Sequence, residues 1–146
     1  MTTLLDTNVL SELLRADPDA AVLTWFSLQP ADSLFVSAVT QAEMLLGVRL
    51  LPAGKRRAQL ERAVDGLLGE DFAGRVLPFD AAAATAYAAV VQARRQSGRP
   101  IAQFDAQIAA IARSRRAGLA TRNIGDFEGC GLALSNPWSR VRGADR

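Results

Sequence analysis

The sequence predicts an α/β fold in which helices cover both faces of a mainly parallel sheet. Three observations carry that reading. Short apolar runs such as Leu34-Phe35-Val36 alternate with longer stretches of helical spacing. No tight hairpin turn separates the runs, so consecutive strands are joined by crossovers, which makes them parallel and buried on both sides. The first run, Thr3-Leu4-Leu5, stops abruptly at an acid, Asp6, before the polar Thr7-Asn8. Ligands of open α/β sheets bind in the crevice outside the carboxyl ends of the strands, so an acid in this place stands where chemistry is usually done.

Each element follows from local signals. After the first strand a helix is expected from Asn8 to about Arg15. A second starts at Asp17-Pro18, with Asp17 as cap and Pro18 in the first turn; its Val22, Leu23, Trp25 and Phe26 are spaced for a helix. Gln29-Pro30-Ala31-Asp32 breaks it. Leu34 to Val36 is a buried strand, and Ser37-Ala38-Val39-Thr40 turns into a helix reaching about Leu51. Pro52-Ala53-Gly54 separates this from a charged helix, Lys55 to Leu68. Arg75 to Phe79 holds a third strand. Asp80 caps an alanine-rich helix to about Ser97, stopped by Gly98. Arg99-Pro100 starts a helix through about Arg116, closed by Gly118. Leu119-Ala120-Thr121 is a fourth strand, Arg122 to Gly131 a loop, and Leu132-Ala133-Leu134 a fifth strand. The expected domain is 1–138, with a frayed polar tail over 139–146.

Composition narrows the chemistry. At 146 residues the chain makes one domain able to bury roughly two-thirds of its unfolded surface. Hydrophobic residues are 49% and charged ones 22%, which excludes general disorder. No apolar run approaches the roughly 20 residues that span a bilayer, and no basic region precedes a hydrophobic core at the N-terminus. A cytoplasmic location and no membrane partner are therefore expected, in keeping with the single Cys130, which forms neither an internal disulfide nor a cysteine-rich zinc site. Histidine is absent, which removes Ser-His-Asp and Cys-His systems and histidine metal ligation. Any metal must then be held by oxygen, which suits Mg²⁺ or Mn²⁺. The net charge is +2, and of 17 basic residues only Lys55 is lysine. Arginine is the better fork for phosphate, so a nucleic-acid partner is allowed, although a codon bias that also favours alanine explains the count as well.

Four carboxylates stand out. Asp6, at a strand end, serves equally as ligand or N-cap. Glu43 shares a helical stripe with Val39, Leu46, Gly47 and Leu50, where an acid pays desolvation unless paired or bound to a cation. Asp105 sits in the first turn of a helix, favourable there for the dipole, yet borders an apolar face of Phe104, Ile108, Ile111 and Ala112. Asp126, in Thr121-Arg122-Asn123-Ile124-Gly125-Asp126-Phe127, reads singly as turn chemistry. Together they sit at strand ends or on the helices behind them. Four such acids in one crevice repel unless a cation is shared, and the usual work of a hard, all-oxygen site is phosphoryl chemistry.

These residues resemble a known family, the PIN-domain ribonucleases, and within it the VapC/FitB-like toxins of bacterial toxin–antitoxin pairs. The resemblance rests on Leu5-Asp6-Thr7-Asn8-Val9-Leu10-Ser11-Glu12, on Ser37-Ala38-Val39-Thr40-Gln41-Ala42-Glu43-Met44-Leu45-Leu46-Gly47, on Ile101-Ala102-Gln103-Phe104-Asp105-Ala106-Gln107-Ile108-Ala109, on the stretch from Leu119 to Phe127, and on Asn136-Pro137-Trp138. It implies a three-layer α/β/α fold around a five-stranded parallel sheet, with the strand bearing Asp6 central. It implies Asp6, Glu43 and Asp105 as acids of a metal site. Asn123 and Asp126 compete for the fourth position, with Asp126 favoured for its charge. Asn8 and Thr121 are implied as residues that orient a ligand or water.

The expected function is Mg²⁺-dependent hydrolysis of RNA phosphodiesters, with Mn²⁺ as a substitute, by the toxin of a toxin–antitoxin pair. Its expected partners are RNA, a cognate antitoxin and a second copy of itself. The resemblance motivates the dimer, together with the apolar residues Leu45, Leu46, Val48, Leu50 and Leu51. In the absence of histidine the candidate base is a metal hydroxide or a carboxylate such as Glu43, and Arg113, Arg116 and Arg122 are candidates for holding the RNA backbone, although each taken singly reads more readily as a solvated helix face. A haloacid-dehalogenase-type phosphatase wants a second Asp where Asn8 stands and a lysine by the site, where Lys55 is badly placed; a receiver domain fails on the same lysine. The remaining alternative is a PIN-like fold that binds RNA or a partner without cutting.

Overall fold

The computed structural model describes residues 2–139. The expected tail, 139–146, lies beyond them except for Ser139. Strands β1 (Thr3–Leu5), β2 (Leu34–Ser37), β3 (Val76–Leu77), β4 (Gly118–Ala120) and β5 (Leu134–Ser135) form one sheet in the order β3-β2-β1-β4-β5. All four pairings are parallel, with Leu4 opposite both Phe35 and Leu119. The strand that ends at Asp6 is therefore central. The chain winds outward through β2 and β3, then crosses to the other side of β1 for β4 and β5. This reversal beside β1 opens a crevice at the carboxyl ends of β1, β2 and β4.

Strand alternation divides the core into two layers. Leu4 and Leu119 pack with Ala83, Val90, Ile108 and Ile111, from helices α5 (Ala81–Gln96) and α6 (Gln103–Ser114). Leu5, Leu34, Val36 and Ala120 face the other way. They meet Val9 and Leu10 of α1 (Thr7–Leu13), Met44 and Val48 of α3 (Ala38–Arg49) and Val64 of α4 (Lys55–Gly66), with Trp25 and Phe26 of α2 (Ala20–Leu28) at the margin. The result is the expected three-layer α/β/α fold.

Local chemistry sets most element ends. Ser37 caps α3 by accepting from Thr40 N, and Asp80 caps α5 by accepting from Ala83 N. Gly98, at φ 73°, terminates α5 in the left-handed conformation that only glycine adopts freely. Several boundaries differ from expectation. Helix α2 starts after Asp19 rather than Asp17: the Asp19 side chain accepts from Ala21 N, and its own amide donates to buried Glu12. Helix α6 starts at Gln103 and ends at Ser114; Arg116 takes the positive φ of 54°, and Gly118 belongs to β4. The stretch 122–131 contains a short helix, α7 (Ile124–Phe127), and β5 lies two residues later than expected. Among the described residues no helix is long and apolar enough to cross a membrane.

Candidate active site

Strand β1 delivers Asp6 to the crevice with its amide still in the sheet ladder, donating to Ala120 O at 2.9 Å. Its side chain is only 6% exposed and serves two masters. Oδ1 accepts from Thr7 N at 2.8 Å and so caps α1, while Oδ2 accepts from Thr121 Oγ1 at 2.8 Å. The N-cap and the site readings of Asp6 are thus compatible, because a carboxylate has about four acceptor positions. Thr121 Oγ1 in turn accepts from Asn123 N at 3.1 Å and, more distantly, from Asn8 Nδ2 at 3.5 Å. Asn8, Thr121 and Asn123 therefore form the hydrogen-bonded backing of Asp6.

Glu43 is held from the opposite wall. Thr7 Oγ1 donates to Glu43 Oε1 at 2.9 Å and lies 2.9 Å from Thr40 Oγ1. A hydroxyl has one proton, so Thr40 must donate to Thr7 for Thr7 to donate to Glu43. The stripe expected to bury Glu43 is not buried. Leu46 and Leu50 are exposed, and α3 turns Thr40, Met44 and Val48 inward instead. Glu43 is placed by this hydroxyl relay at the half-buried edge of the helix, not by an apolar surround.

Asp105 occupies the first turn of α6, half-buried, with Ala106 and Ile108 in the core behind it and Phe104 exposed. Burial, followed by the charges of Asp6, Asp126 and Glu43, pushes its carboxyl up to about 6, with Arg94 opposing. Burial also raises Asp6, against the bonds from Thr121 and Thr7, and Asp126 adds to the rise. Three of the four acids line one crevice of about 520 Å³ together with Thr7, Asn8 and Asn123. Asp126 lies on α7, exposed and just outside that lining, yet its charge reaches both Asp6 and Asp105.

As donors for a metal these residues are all hard oxygens, which fits a divalent cation such as Mg²⁺. Their mutual charge repulsion is what a cation relieves. Among the described residues no three acids stand close enough together to hold an ion without adjustment. Glu43 is turned toward Thr7, and Asp6 toward Thr7 and Thr121.

Sequence reasoning missed four contributors. Glu12 is buried at 6% exposure, lines the crevice, accepts from Asp19 N at 3.0 Å and pairs with Arg15 at 3.3 Å. Arg15 joins the lining, as does Arg122; Arg113 and Arg116 do not. Trp138 lines the crevice beneath Arg122, whose guanidinium lies 5.1 Å from the indole centroid. Arg94 is buried, with Nη1 donating to Asp126 O at 2.6 Å and Glu128 O at 3.0 Å, and Nε to Arg99 O at 2.6 Å. It fastens the α7 turn to the connection entering α6. Its signal was present: Arg94 falls one turn after Val90 and so on the inward stripe of α5.

A family model described as PIN domain matches residues 3–128. The chain is 44% identical over 134 residues to VapC ribonuclease Y4jK of Sinorhizobium fredii, covering 92% of this chain and 96% of that protein. It is 40% identical over 135 residues to toxin FitB of Neisseria gonorrhoeae, covering 92% and 97%. Among solved structures, that of FitAB bound to an IR36 DNA fragment superposes with a TM-score of 0.91 at 39% identity, covering 97% of this chain and 99% of that one.

Proposed function

The chain belongs to the PIN-domain family, and on that premise we propose that it is the ribonuclease toxin of a toxin–antitoxin pair, a divalent-metal-dependent hydrolase of RNA phosphodiesters. Its partners are the RNA, a cognate antitoxin and a second copy of the chain. We assign Mg²⁺ as the ion, with Mn²⁺ able to replace it, because the donors are carboxylates with neither histidine nor an accessible thiol among them. The ion would be held by Asp6, Glu43, Asp105 and Asp126.

The observation that carries this reading is electrostatic. Asp105 is raised to about 6 by burial and by Asp6, Asp126 and Glu43 together. Acids that share one field in this way, with no arginine paired to any of these four among the described residues, favour a cation among them. When bound, a divalent cation supplies Lewis acidity to the phosphodiester and a lowered pKa to water. The chain's own residues do the remainder. Thr121 and the Thr7 amide fix the Asp6 carboxylate in plane. Thr7 occupies Glu43 Oε1, which leaves Oε2 to take a proton from the attacking water. Arg15 and Arg122, which also line the crevice, supply positive charge for the RNA.

The test is cleavage of RNA by purified protein across a Mg²⁺ titration, for the wild type and for Asp6→Asn and Asp105→Asn. Groups that merely orient metal ligands are worth roughly 10- to 100-fold, so loss of a ligand should lower cleavage by at least about a hundredfold. Full activity in either variant would remove these acids from the site. RNA that is bound but never cut at any Mg²⁺ concentration would make the chain a binding module instead.

A further inference from the structure

Besides Asp6, Glu43 and Asp105, the crevice is lined by Arg15, Arg122, Asn123 and Trp138. There the Arg122 guanidinium sits over the Trp138 indole at 5.1 Å, within cation–π range. Trp138 is half-buried, one side against the core layer that holds Leu10 and Leu34. Its amide is pinned by Asn136 Oδ1 at 2.9 Å. The Arg122 amide leans on Asn8 Oδ1 at 3.4 Å, which ties the pair to the residues backing Asp6. The Arg122 side chain is exposed, and among the described residues no carboxylate pairs with it.

We propose that Arg122 and Trp138 form a stacking subsite for one unpaired nucleobase at this edge of the crevice; this rests on the ribonuclease reading above. An indole beneath the guanidinium holds it in place while leaving its outer face and its N–H edge free. A guanidinium kept over an indole while still exposed offers a preset π surface to a planar ring, and arginine planes and aromatic rings are the usual platforms for splayed-out RNA bases. In an A-form duplex the base faces are covered by their neighbours and reach no such platform. With the Arg122 amide against Asn8, whose side chain also reaches Thr121, a base on the pair lies beside the residues that back Asp6.

The experiment uses the full chain in EDTA, so that the RNA stays intact, and compares three probes of equal charge: an unpaired oligoribonucleotide, an abasic ribose-phosphate oligomer of the same length, and a paired hairpin stem. Equal charge makes repulsion by the acids common to all. The unpaired probe should bind about tenfold more tightly than the abasic one, the scale of one stacked base. In a Trp25→Phe background, where Trp138 is the remaining tryptophan, it should also change the emission as the abasic and paired probes do not. Trp138→Ala and Arg122→Ala should erase the preference for bases. Arg122→Lys keeps the charge and should still lose most of it, and Trp138→Phe, which preserves packing, should keep most of it. Equal affinity for the unpaired and abasic probes, in a protein that cuts RNA once Mg²⁺ is supplied, would overturn the subsite and leave Arg122 a phosphate contact. A protein that neither binds these probes nor cuts RNA with Mg²⁺ would overturn the ribonuclease reading along with it.

Discussion

Asp105 bears the cost of the cluster most visibly. Its folded-state carboxyl is raised from 3.8 to about 6. Between those values the folded chain holds a proton that the unfolded chain has released, so stability falls as pH rises through that window and the loss is complete above it. Asp6 is shifted in the same direction. In EDTA, the melting temperature of the wild type relative to Asp105→Asn should therefore decline from about pH 4 to about pH 7, and above that range the variant should match or exceed the wild type. Saturating Mg²⁺ should remove the decline, because a bound cation reverses the sign of the local field. Thermal melts of both proteins across this range, with and without Mg²⁺, decide it. A flat difference would mean that the four acids do not share a field.

At the scale of elements, α7 and the entry to α6 carry Asp126 and Asp105, yet neither has strong local reasons to stay where it is. Helix α7 is four residues long, and α6 has no side-chain cap. Both are held by α5. Arg94 bonds to three carbonyls there, and Arg99 adds a bond to Gly125 O at 2.9 Å and an exposed pair with Glu128. Replacing Arg94 by Met keeps some bulk but leaves those partly buried carbonyls without their donor, at a cost of about 1 to 3 kcal/mol. The melting temperature of Arg94→Met should drop by several degrees, and calorimetry should show weaker divalent-metal binding at a temperature where the variant is fully folded. Arg94→Lys, with donors but no fork, should lie between. Metal affinity equal to wild type in the folded Met variant would restrict Arg94 to stability.

For the molecule as a whole, the outer face of α3 has no cover among the described residues. Leu45, Leu46 and Leu50 are 39%, 55% and 74% exposed, and contiguous apolar surface of this kind marks interfaces. Val48, by contrast, is buried in the core. Light scattering at tens of micromolar should return about twice the 15.6 kDa chain mass, and Leu46→Glu combined with Leu50→Glu should return the monomer. Both changes fall on exposed positions, so the melting temperature corrected for dimer loss should hold. A monomeric wild type would refute the interface.

The sequence by itself determined the parallel α/β architecture, a strand ending at Asp6, and the capped start of α5, while the central place of that strand came only with the family resemblance. The former rest on short-range physics: apolar runs bounded by polar breaks, and a side chain that caps the next few amides at Asp80. It also picked out the four acids, because a carboxylate at a strand end or beside an apolar face is conspicuous. Only the tertiary structure decided how those acids are held. The bond from Thr121 to Asp6 joins residues 115 apart in sequence, and that from Thr7 to Glu43 joins residues 36 apart. Sequence reasoning placed Glu43 on a buried stripe that turned out to face solvent. It also passed over the burial of Glu12 and Arg94 and the seating of Arg122 on Trp138. In each case the partner comes from another part of the chain, and a single sequence carries no periodicity that reports contacts across a sheet. The crevice is such a contact, assembled where the winding reverses beside β1.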